Sequence, residues 1–425
     1  PAPDEPPARE NDDDPKLVRG DAYDMSDGPA ASATDWPTFR HDGRRTGATP
    51  ADLPGKLVRS WRIDLGTKIS SPTVANGMVF VSLIDQHTVV GLDAQTGREV
   101  WHYAVGARVD SPPTYYRGRV IFGSADGRVY CLRADDGTLA WKFRAAPGER
   151  FVGAHGQLES AWPVHGSVLV KGGKVYVCAG RSTHLDGGLY LYALDAETGE
   201  VQNRRNLEGP RYTSKNIEQN YRLKQGLLPD LMIGQGDSIY MHGKGFTTTL
   251  EDADGRPSMR VPTSTLLDDS YFKRAPWKMD GEYARLIVHD DRNAFYVRQF
   301  DTLRALDPSV YFTPGQKGYM LFSKDTSEHD RRWFRHIPVR IRAMVRTSDV
   351  LFVAGPPDAI PADDPLGPYE GRCGGKLHAI DSASGKTLEK YELPSPPVFN
   401  GIAVTNGHLL MTEQDGSVSC YKPKE

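Results

Sequence analysis

Short runs of alternating apolar and polar residues, separated by glycine-rich turns, recur along most of the chain. The stretch "SPTVANGMVFVSLIDQHTVVGLDAQTGREVW" (residues 71–101) has a close copy in "SPPTYYRGRVIFGSADGRVYCLRADDGTLAW" (residues 111–141). Each copy contains three apolar runs with the two-residue period of β-strands, and a fourth run that ends in tryptophan. A turn of the form Asp-x-x-(Thr/Asp)-Gly precedes the fourth run, and its glycine supplies the positive φ. Four short strands in about forty residues are typical of one propeller blade.

Weaker copies of this pattern begin at residues 167, 230, 284, 341 and 395, and the last copy stops after its third strand. The segment "KLVRSWRIDLG" (residues 56–66) has the features of a fourth strand but precedes the first complete copy. Because a sheet without its outer strand exposes an edge, we expect this N-terminal strand to pair with residues 418–421 and complete the last blade. The sequence thus predicts an all-β protein, a single closed β-propeller of about seven four-stranded blades, or eight if residues 208–280 contain another.

Residues 1–34 have a different composition, with many Pro, Asp, Glu and Ala residues and almost no large apolar ones. Such a segment buries too little apolar surface to offset its chain entropy. We therefore expect an acidic, proline-rich linker or strap at 1–34, ordered only by a partner or by the propeller's outer wall, and the propeller at 35–425. The chain begins at Pro1 and has no signal peptide, so we expect a processed product or part of a longer chain.

Charge and hydropathy exclude two classes of partner. The 425 residues carry a formal net charge of -3, which argues against a broad electrostatic grip on nucleic acid. No apolar run approaches the roughly 20 residues that span a bilayer. The four cysteines, Cys131, Cys178, Cys373 and Cys420, form no CxxC pair. Two of them replace alanine in third strands, so we expect small buried core residues there.

The turn motif followed by a strand with tryptophan resembles the repeat of PQQ-like propellers. This superfamily contains quinoprotein alcohol dehydrogenases and the outer-membrane assembly lipoprotein of the BAM complex. The segment "DWPTFRHDGRRTG" (residues 35–47) is similar to the leading strand of those proteins. Residues 111–147, with "GQLESAWPVHGSVLV" (residues 156–170), resemble PQQ-binding-like repeat proteins of uncharacterised function in exported bacterial multidomain chains. The resemblance implies a periplasmic or extracellular location and an upstream domain or second chain as partner.

The same resemblance bears on cofactors. Quinoprotein dehydrogenases resemble one another in a vicinal Cys-Cys disulfide over the quinone, a calcium site and a catalytic aspartate. This sequence has no Cys-Cys pair, and the fold name alone is not evidence of a cofactor. PQQ and calcium are therefore possible cofactors that no motif supports, and we predict no cofactor and no metal site.

Candidate site residues stand in the connections that depart from the repeat. In a propeller, the loops between second and third strands and the links to the next blade gather on one face, here called the loop face, where function usually resides. The link "VGAHGQLESAWPVHG" (residues 152–166) and the loop "AGRSTHLDGG" (residues 179–188) are both rich in ionisable groups. Arginine can clamp a carboxylate, and histidine titrates near neutrality. From these two segments we select His155, Glu159, Trp162, Arg181, His184 and Asp186.

Two further segments add candidates. The stretch "TLLDDSYFKRAPW" (residues 265–277) contributes Asp268, Tyr271 and Arg274. In "PVRIRAM", Arg340 and Arg342 have the spacing of residues on one face of a strand. The insertion at residues 355–375 is expected to be a lid or a partner-contact loop. A structural role, pinning or capping their loops, is the alternative for all of these residues.

Three functions remain open at this stage. The first is an exported module that binds an extended polar ligand, a glycan or peptide, or a partner domain, on its loop face. Aromatic rings would stack on sugars and arginines would hold carboxylates. The second is a polysaccharide lyase or hydrolase with His155 or His184 as base, Tyr271 as acid, and Arg181 or Arg342 on a uronate. The third is a PQQ-dependent oxidoreductase.

Overall fold

The computed structural model describes residues 16–209, 226–241, 243–260, 277–279, 281–298, 319–327 and 330–424. In these ranges the regular secondary structure is almost entirely β, and the one helical element described is a 3-10 turn, η1 (Ile84–Gln86). No helix among the described residues is long and apolar enough to cross a membrane. Two early strands, β1 (Leu17–Arg19) and β2 (Leu57–Asp64), pair with sheets formed later in the chain.

The first three sheets, in chain order, each contain four consecutive antiparallel strands. The first sheet contains β3 (Thr73–Ala75), β4 (Met78–Leu83), β5 (Thr88–Asp93) and β6 (Glu99–Ala104). The second contains β7 (Thr114–Tyr116), β8 (Arg119–Gly123), β9 (Arg128–Arg133) and β10 (Leu139–Arg144). A separate hairpin, β11 (Phe151–Ala154) and β12 (Gln157–Ser160), follows it. The third sheet contains β13 (Leu169–Lys171), β14 (Lys174–Ala179), β15 (Leu189–Asp195) and β16 (Val201–Leu207).

The fourth and fifth sheets are separated by a smaller one. The fourth sheet contains β17 (Ile233–Gln235), β18 (Ser238–Met241), β19 (Lys244–Thr247) and β20 (Asp252–Ala253). A three-stranded sheet follows, with β21 (Met259–Arg260), β22 (Trp277–Met279) and β23 (Glu282–Ala284). The fifth contains β24 (Leu286–His289), β25 (Asn293–Arg298), β26 (Tyr319–Asp325) and β27 (Arg331–Ile337). Strand β22 lies against β24, so the small sheet lies beside the fifth.

The last two sheets include the predicted N-terminal strand. The sixth contains β28 (Ala343–Arg346), β29 (Val350–Gly355), β30 (Gly375–Asp381) and β31 (Thr387–Leu393). The seventh contains β32 (Pro397–Thr405), β33 (His408–Glu413) and β34 (Ser417–Pro423), with β2 as its outer strand. Trp61 lies opposite Cys420 and Ile63 opposite Val418, so the pairing expected from the unfinished last repeat is present.

Apolar residues on both faces of the middle strands are buried between neighbouring sheets. In β4, for example, Val79, Phe80 and Val81 are all fully buried. The first strands of several successive sheets lie against one another: β32 with β3, β3 with β7, β7 with β13, β13 with β17, β24 with β28, and β28 with β32. The central strands of a sheet that packs between two others have little solvent face, so their runs are largely apolar.

The recurring tryptophan and glycine join one sheet to the next. The indole of Trp101, in the first sheet, lies over Gly137 in the turn of the second, and its Nε1 donates to the Ala134 carbonyl at 2.8 Å. A Cβ on Gly137 would lie 2.7 Å from the Trp101 ring, and this glycine has a φ of 72°. The same pairing recurs at Trp61 with Gly97, Trp141 with Gly199, and Trp333 with Gly385. The repeated turn therefore serves sheet packing.

The segment 35–53 is not the leading strand that the resemblance suggested. It forms only isolated bridges, such as Trp36 with Val74, and is otherwise irregular because it runs across the first strands of several sheets. Arg45 in this segment is fully buried. Its guanidinium donates to the carbonyls of Ser167 and Val168, before the third sheet, and its Nε donates to the Met232 carbonyl, before the fourth. Arg45 thereby links those two sheets.

Strand β1 belongs to the segment that the composition indicates to be a linker or strap. It pairs with β10 and adds a fifth strand to the outer edge of the second sheet, with Val18 opposite Lys142. Farther along, Asp27 accepts hydrogen bonds from Arg117 and Arg119, at 3.0 and 2.6 Å. The part of this segment that the structure describes therefore lies along the outside of the second sheet.

Candidate functional site

The long link after β10 folds into the β11–β12 hairpin on the loop face. His155 and Gly156 form its two-residue turn with φ values of 50° and 74°, as a tight hairpin turn with right-handed strand twist requires. His155 is exposed at the tip. It was predicted as a catalytic residue, and the structure places it at the hairpin turn.

The inward face of the hairpin joins a buried network of charges. Glu159 is 3% exposed and accepts a hydrogen bond from Arg181 of the third sheet. His165 Nε2 lies 3.9 Å from the same Glu159 oxygen, and His165 Nδ1 is 2.9 Å from Asp110 Oδ2. Arg108 completes the chain, with Nη2 at 2.9 Å from Asp110 Oδ1. Glu159 and Arg181, which the sequence grouped together, are indeed in contact.

Charge compensation in this network is visible in one pKa. Burial alone would raise the pKa of Asp110, but the His165 hydrogen bond and the positive charges of His165 and Arg108 lower it below its ordinary value. The carboxylate is thus held in its charged form by its neighbours. The buried network therefore fixes the loops in place, and its charges are largely directed at one another.

Trp162 and Asp186 form a second tie between the link and the loop of the third sheet. Trp162 is 1% exposed, so its ring packs in the interior and presents no face to a ligand. Its Nε1 donates to the Asp186 carbonyl at 2.6 Å. The Asp186 carboxylate accepts a 2.7 Å hydrogen bond from Arg150. His184, also predicted as catalytic, is exposed in the same loop.

Arg340 and Arg342 precede β28 and are not on a strand as the spacing suggested. Arg340 Nε is 3.1 Å from Asp358, and its guanidinium lies 3.5 Å from the Tyr369 ring centroid. Arg342 donates to Gln414 at 3.0 Å and to the Tyr369 carbonyl at 3.3 Å. Both side chains therefore hold the 355–375 insertion.

The remaining predicted site residues, Asp268, Tyr271 and Arg274, lie outside the described residues. The proposed meeting of a histidine base with Tyr271 therefore stays a prediction. Of the candidates that are described, the structure gathers those of the link and the third-sheet loop in one region. It places the two arginines of residues 340–342 with the 355–375 insertion instead.

An open groove of about 440 Å³ lies on the loop face between the first and second sheets. The end of β6, the loop before β9, the end of β10 and the base of the hairpin form its walls. We call it the cationic groove. Its charged and aromatic lining residues are Tyr103, Asp126, Arg128, Tyr130, Lys142, Arg144, Glu149, Arg150 and Phe151.

Four of these side chains are cationic and two are anionic, a formal excess of two positive charges. Arg128 lies 3.7 Å from Glu149. Arg150, at the rim, is 57% exposed even though it contacts Asp186. Clustered guanidinium and ammonium groups in a water-accessible cleft favour an anionic ligand and raise its local concentration.

Two tyrosines form the aromatic part of the groove. The rings of Tyr103 and Tyr130 lie 6.1 Å apart, and the Tyr130 hydroxyl donates to Asp126 at 2.5 Å. Asp126 also accepts the Gly106 N–H at 3.2 Å. Burial and the negative charge of Asp126 raise the pKa of Tyr130, so this hydroxyl stays protonated. Tyr130 is buried, so the half-buried ring of Tyr103 is the one that can meet a ligand beside the cations.

The groove residues were not identified from the sequence, because the first two repeats looked regular. Repeat alignment does contain a signal. Tyr130 and Arg128 stand where the first sheet has Val90 and Thr88, and Arg144 stands where it has Ala104. At one end of the second sheet, three positions thus carry aromatic or cationic residues instead of small or apolar ones. The packing of the sheets does not require this change, so these positions indicate a surface with another role.

The described residues were also compared with the needs of a quinone site. Among them, no group of three or more His, Cys, Asp or Glu side chains is placed to hold a metal ion. The four cysteines are free, and burial raises the pKa of Cys178 and Cys420 to about 12, which keeps these thiols protonated. The guanidinium of Arg40 covers the Trp277 ring at 4.4 Å. These residues do not fit a calcium-bound quinone.

Comparison with known proteins identifies the repeat. A family model described as "Outer membrane protein assembly factor BamB" matches residues 55–258. The dehydrogenase subunit of a quinone alcohol dehydrogenase from Gluconobacter oxydans is 30% identical over 161 residues, 35% of this chain and 20% of that protein. Quinoprotein ethanol dehydrogenase from Pseudomonas aeruginosa is 25% identical over 317 residues, 68% of this chain and 44% of that protein. The chain thus spans less than half the length of these relatives.

The fold is shared with a solved structure of the same kind. Quinohemoprotein alcohol dehydrogenase from Comamonas testosteroni superposes with a TM-score of 0.55 at 15% identity. The superposition covers 96% of this chain and 83% of the dehydrogenase chain. At this identity the likeness concerns the fold. Together with the family match and the sequence relatives, it confirms the resemblance inferred from the repeats: the chain contains the repeat of PQQ-like β-propellers.

Proposed function

We propose that this protein is a recognition module that binds an extended acidic ligand in the cationic groove of its loop face. The observation that carries the proposal is the groove itself. It is open, so it can accept part of a longer chain. It combines an excess of positive charge with the half-buried ring of Tyr103, and the hydrogen bonds around Asp126 fix its floor.

The chemistry of this lining suits an acidic glycan or an acidic peptide. Arginine binds carboxylates with paired hydrogen bonds, and tyrosine packs against sugar faces or apolar side chains. The buried network of Glu159, Arg181 and His165 supports recognition by holding the neighbouring loops rigid. A rigid scaffold lowers the entropy that binding would otherwise cost.

The test is direct binding by calorimetry with defined probes. Oligogalacturonate, a neutral maltooligosaccharide of equal length and a glutamate-rich peptide would each be titrated into the full chain. We expect an acidic probe to bind, the neutral one not to bind, and affinity to fall with added salt. The variant Arg128→Gln with Lys142→Gln should weaken binding about tenfold, since each exposed ion pair contributes up to ~1 kcal/mol.

The matched control is Lys386→Gln, which removes one exposed lysine from a turn of the sixth sheet. It should leave affinity unchanged. If neither acidic probe binds, or if the groove variant and the control behave alike, the proposal fails.

A second candidate, a PQQ-dependent oxidoreductase, is favoured by the sequence relatives, whose names describe quinone dehydrogenases. The described residues provide no calcium ligands for it, and we derive no reaction step. Equilibrium dialysis with PQQ and calcium, followed by a dye-linked alcohol oxidation assay, decides this candidate. Stoichiometric PQQ retention with turnover would establish it over binding alone.

We further propose that the sheets form one closed propeller. Trp61 of the seventh sheet packs on Gly97 of the first, and β3 lies against β32, which supports closure at this seam. Deleting residues 56–66 should then yield a chain that aggregates or unfolds, as measured by circular dichroism and gel filtration. A periplasmic or extracellular location, with an upstream domain or second chain as partner, fits the name of the matching family model.

A further inference from the structure

The β11–β12 hairpin turns its two largest apolar side chains outward, and its opposite face carries Glu159 and Gln157 beside Val152 and Ala154. Cross-strand pairs share a face, so Phe151 with Ser160, and Gly153 with Leu158, lie together on one side. On that side, Phe151 is 60% exposed and Leu158 is 70% exposed. The opposite side carries Glu159, which is buried. A surface hairpin with no partner would normally expose its charged side chain and bury its large apolar ones.

The inward face is held firmly, so the outward face is presented in one orientation. Gln157 accepts a hydrogen bond at 2.6 Å from His87 in the first sheet, and donates to the Asp85 carbonyl at 3.3 Å. Glu159 is bound by Arg181 of the third sheet. The hairpin is therefore anchored to both neighbours of the second sheet, and its apolar side chains do not need to move before they contact a partner.

The exposed apolar side chains adjoin the cationic groove. Phe151 lines the groove and also belongs to the hairpin's outward face. Arg150, the residue before it, contacts Asp186, which brings the 52% exposed Leu185 to the base of the hairpin. Apolar and cationic groups thus lie side by side, and a ligand that fills both needs acidic and apolar groups in one chain.

We propose that the occupant of this surface is an extended segment of a partner protein in which acidic and large apolar residues alternate. Its apolar side chains lie on Phe151, Leu158 and Leu185, and its carboxylates enter the cationic groove. This inference rests on the proposed function and narrows its ligand from any acidic chain to a peptide. A uronate glycan has carboxylates but no large apolar side chains, so it uses the groove alone.

The test compares defined probes on the full chain. The first peptide probe alternates glutamate with leucine and phenylalanine. Of two matched peptides, one has glutamine in place of the glutamates and the other has serine in place of the apolar residues. Oligogalacturonate is the fourth probe. We expect the first peptide to bind about tenfold more tightly than either matched peptide. Leu158→Ser with Leu185→Ser, both outside the groove lining, should lower its affinity about tenfold and leave any oligogalacturonate binding unchanged. Leu388→Ser, at another exposed leucine on β31, is the control.

The outcomes separate this inference from the proposed function. Oligogalacturonate binding that depends on Arg128 and Lys142, without peptide binding, would overturn the peptide inference and keep the acidic-ligand function. Loss of all acidic binding would overturn both. Peptide binding that survives Leu158→Ser with Leu185→Ser, or that Leu388→Ser weakens equally, would overturn the role given to the exposed apolar side chains. Concentration-dependent dimers that this double variant abolishes would identify a second copy as occupant and overturn the proposal.

Discussion

Substituting Gly137 by alanine tests whether the tryptophan–glycine contacts hold the sheets together. Gly137 has a φ of 72°, and a new Cβ would lie 2.7 Å from the Trp101 ring. An alanine in the left-handed region costs ~1–2 kcal/mol, and overpacking against a buried ring typically adds ~1–3 kcal/mol. Reduced entropy of the unfolded chain returns about 0.4–1 kcal/mol. We expect Gly137→Ala to lower the free energy of unfolding by about 2–4 kcal/mol.

The control for this experiment is Gly407→Ala. Gly407 has nearly the same φ, 74°, but no atom lies within 4 Å of a Cβ placed there. It should therefore lose only the backbone term, about 1 kcal/mol. Urea unfolding followed by circular dichroism measures both variants, and the difference between them isolates the contact with Trp101. Adding Trp101→Leu should shrink the cost of Gly137→Ala, because the smaller side chain leaves room for the methyl group.

Equal destabilisation by the two glycine variants would refute this reasoning, because the cost would then come from backbone strain alone. So would an unchanged cost of Gly137→Ala in the Trp101→Leu background. Either result would mean that the repeated turn is kept for its local conformation and not for the packing of one sheet against the next.

Two further predictions concern buried charges. Burial, followed by the charges of Lys390 and Lys376, lowers the pKa of His378 to about 4. Between pH 6.5 and 4 the unfolded chain therefore binds more protons than the folded chain, and the free energy of unfolding should fall by up to about 1.4 kcal/mol for each unit by which the pH drops. His378→Gln should flatten this slope in urea unfolding at several pH values. Arg45→Met leaves the carbonyls of Ser167, Val168 and Met232 without their donor, so it should cost roughly 3 kcal/mol or more at neutral pH; a loss below 1 kcal/mol would contradict the role given to Arg45.

Much of the fold could be predicted because its signals are local and repeated. Alternating apolar positions, the glycine turn and the terminal tryptophan each fall within one repeat, so two good copies suffice to interpret the degraded ones. The pairing of β2 with β34 could also be predicted, because the missing fourth strand and the unattached strand around Trp61 are complementary. The three-stranded sheet near Trp277 was left open as a possible extra blade, because its sequence lacks the repeat's turn.

The candidate site was predicted less completely, because it depends on contacts between distant repeats. Glu159 and Arg181 could be selected from the sequence, since both stand in connections that depart from the repeat; their ion pair with each other is seen only in the structure. The groove was not, because its residues come from several strands of regular repeats. The hairpin's orientation was also beyond the pattern: alternation alone would turn Glu159 outward, and only partners from the third sheet explain why it is buried.

The position of these features explains how one scaffold can acquire a binding surface. The turns that carry Gly97, Gly137 and Gly199 join third strands to fourth strands. In an antiparallel sheet, these turns lie at the end opposite the loops between second and third strands. The tryptophan–glycine contacts are therefore all on one face, and the loop face is joined by other contacts, such as that of Glu159 with Arg181. Because the hairpin and the groove lie on the face opposite the tryptophan–glycine contacts, the substitution of an exposed side chain there, such as Phe151→Ser, should change binding while those contacts, and the stability they give to the sheets, remain as they are.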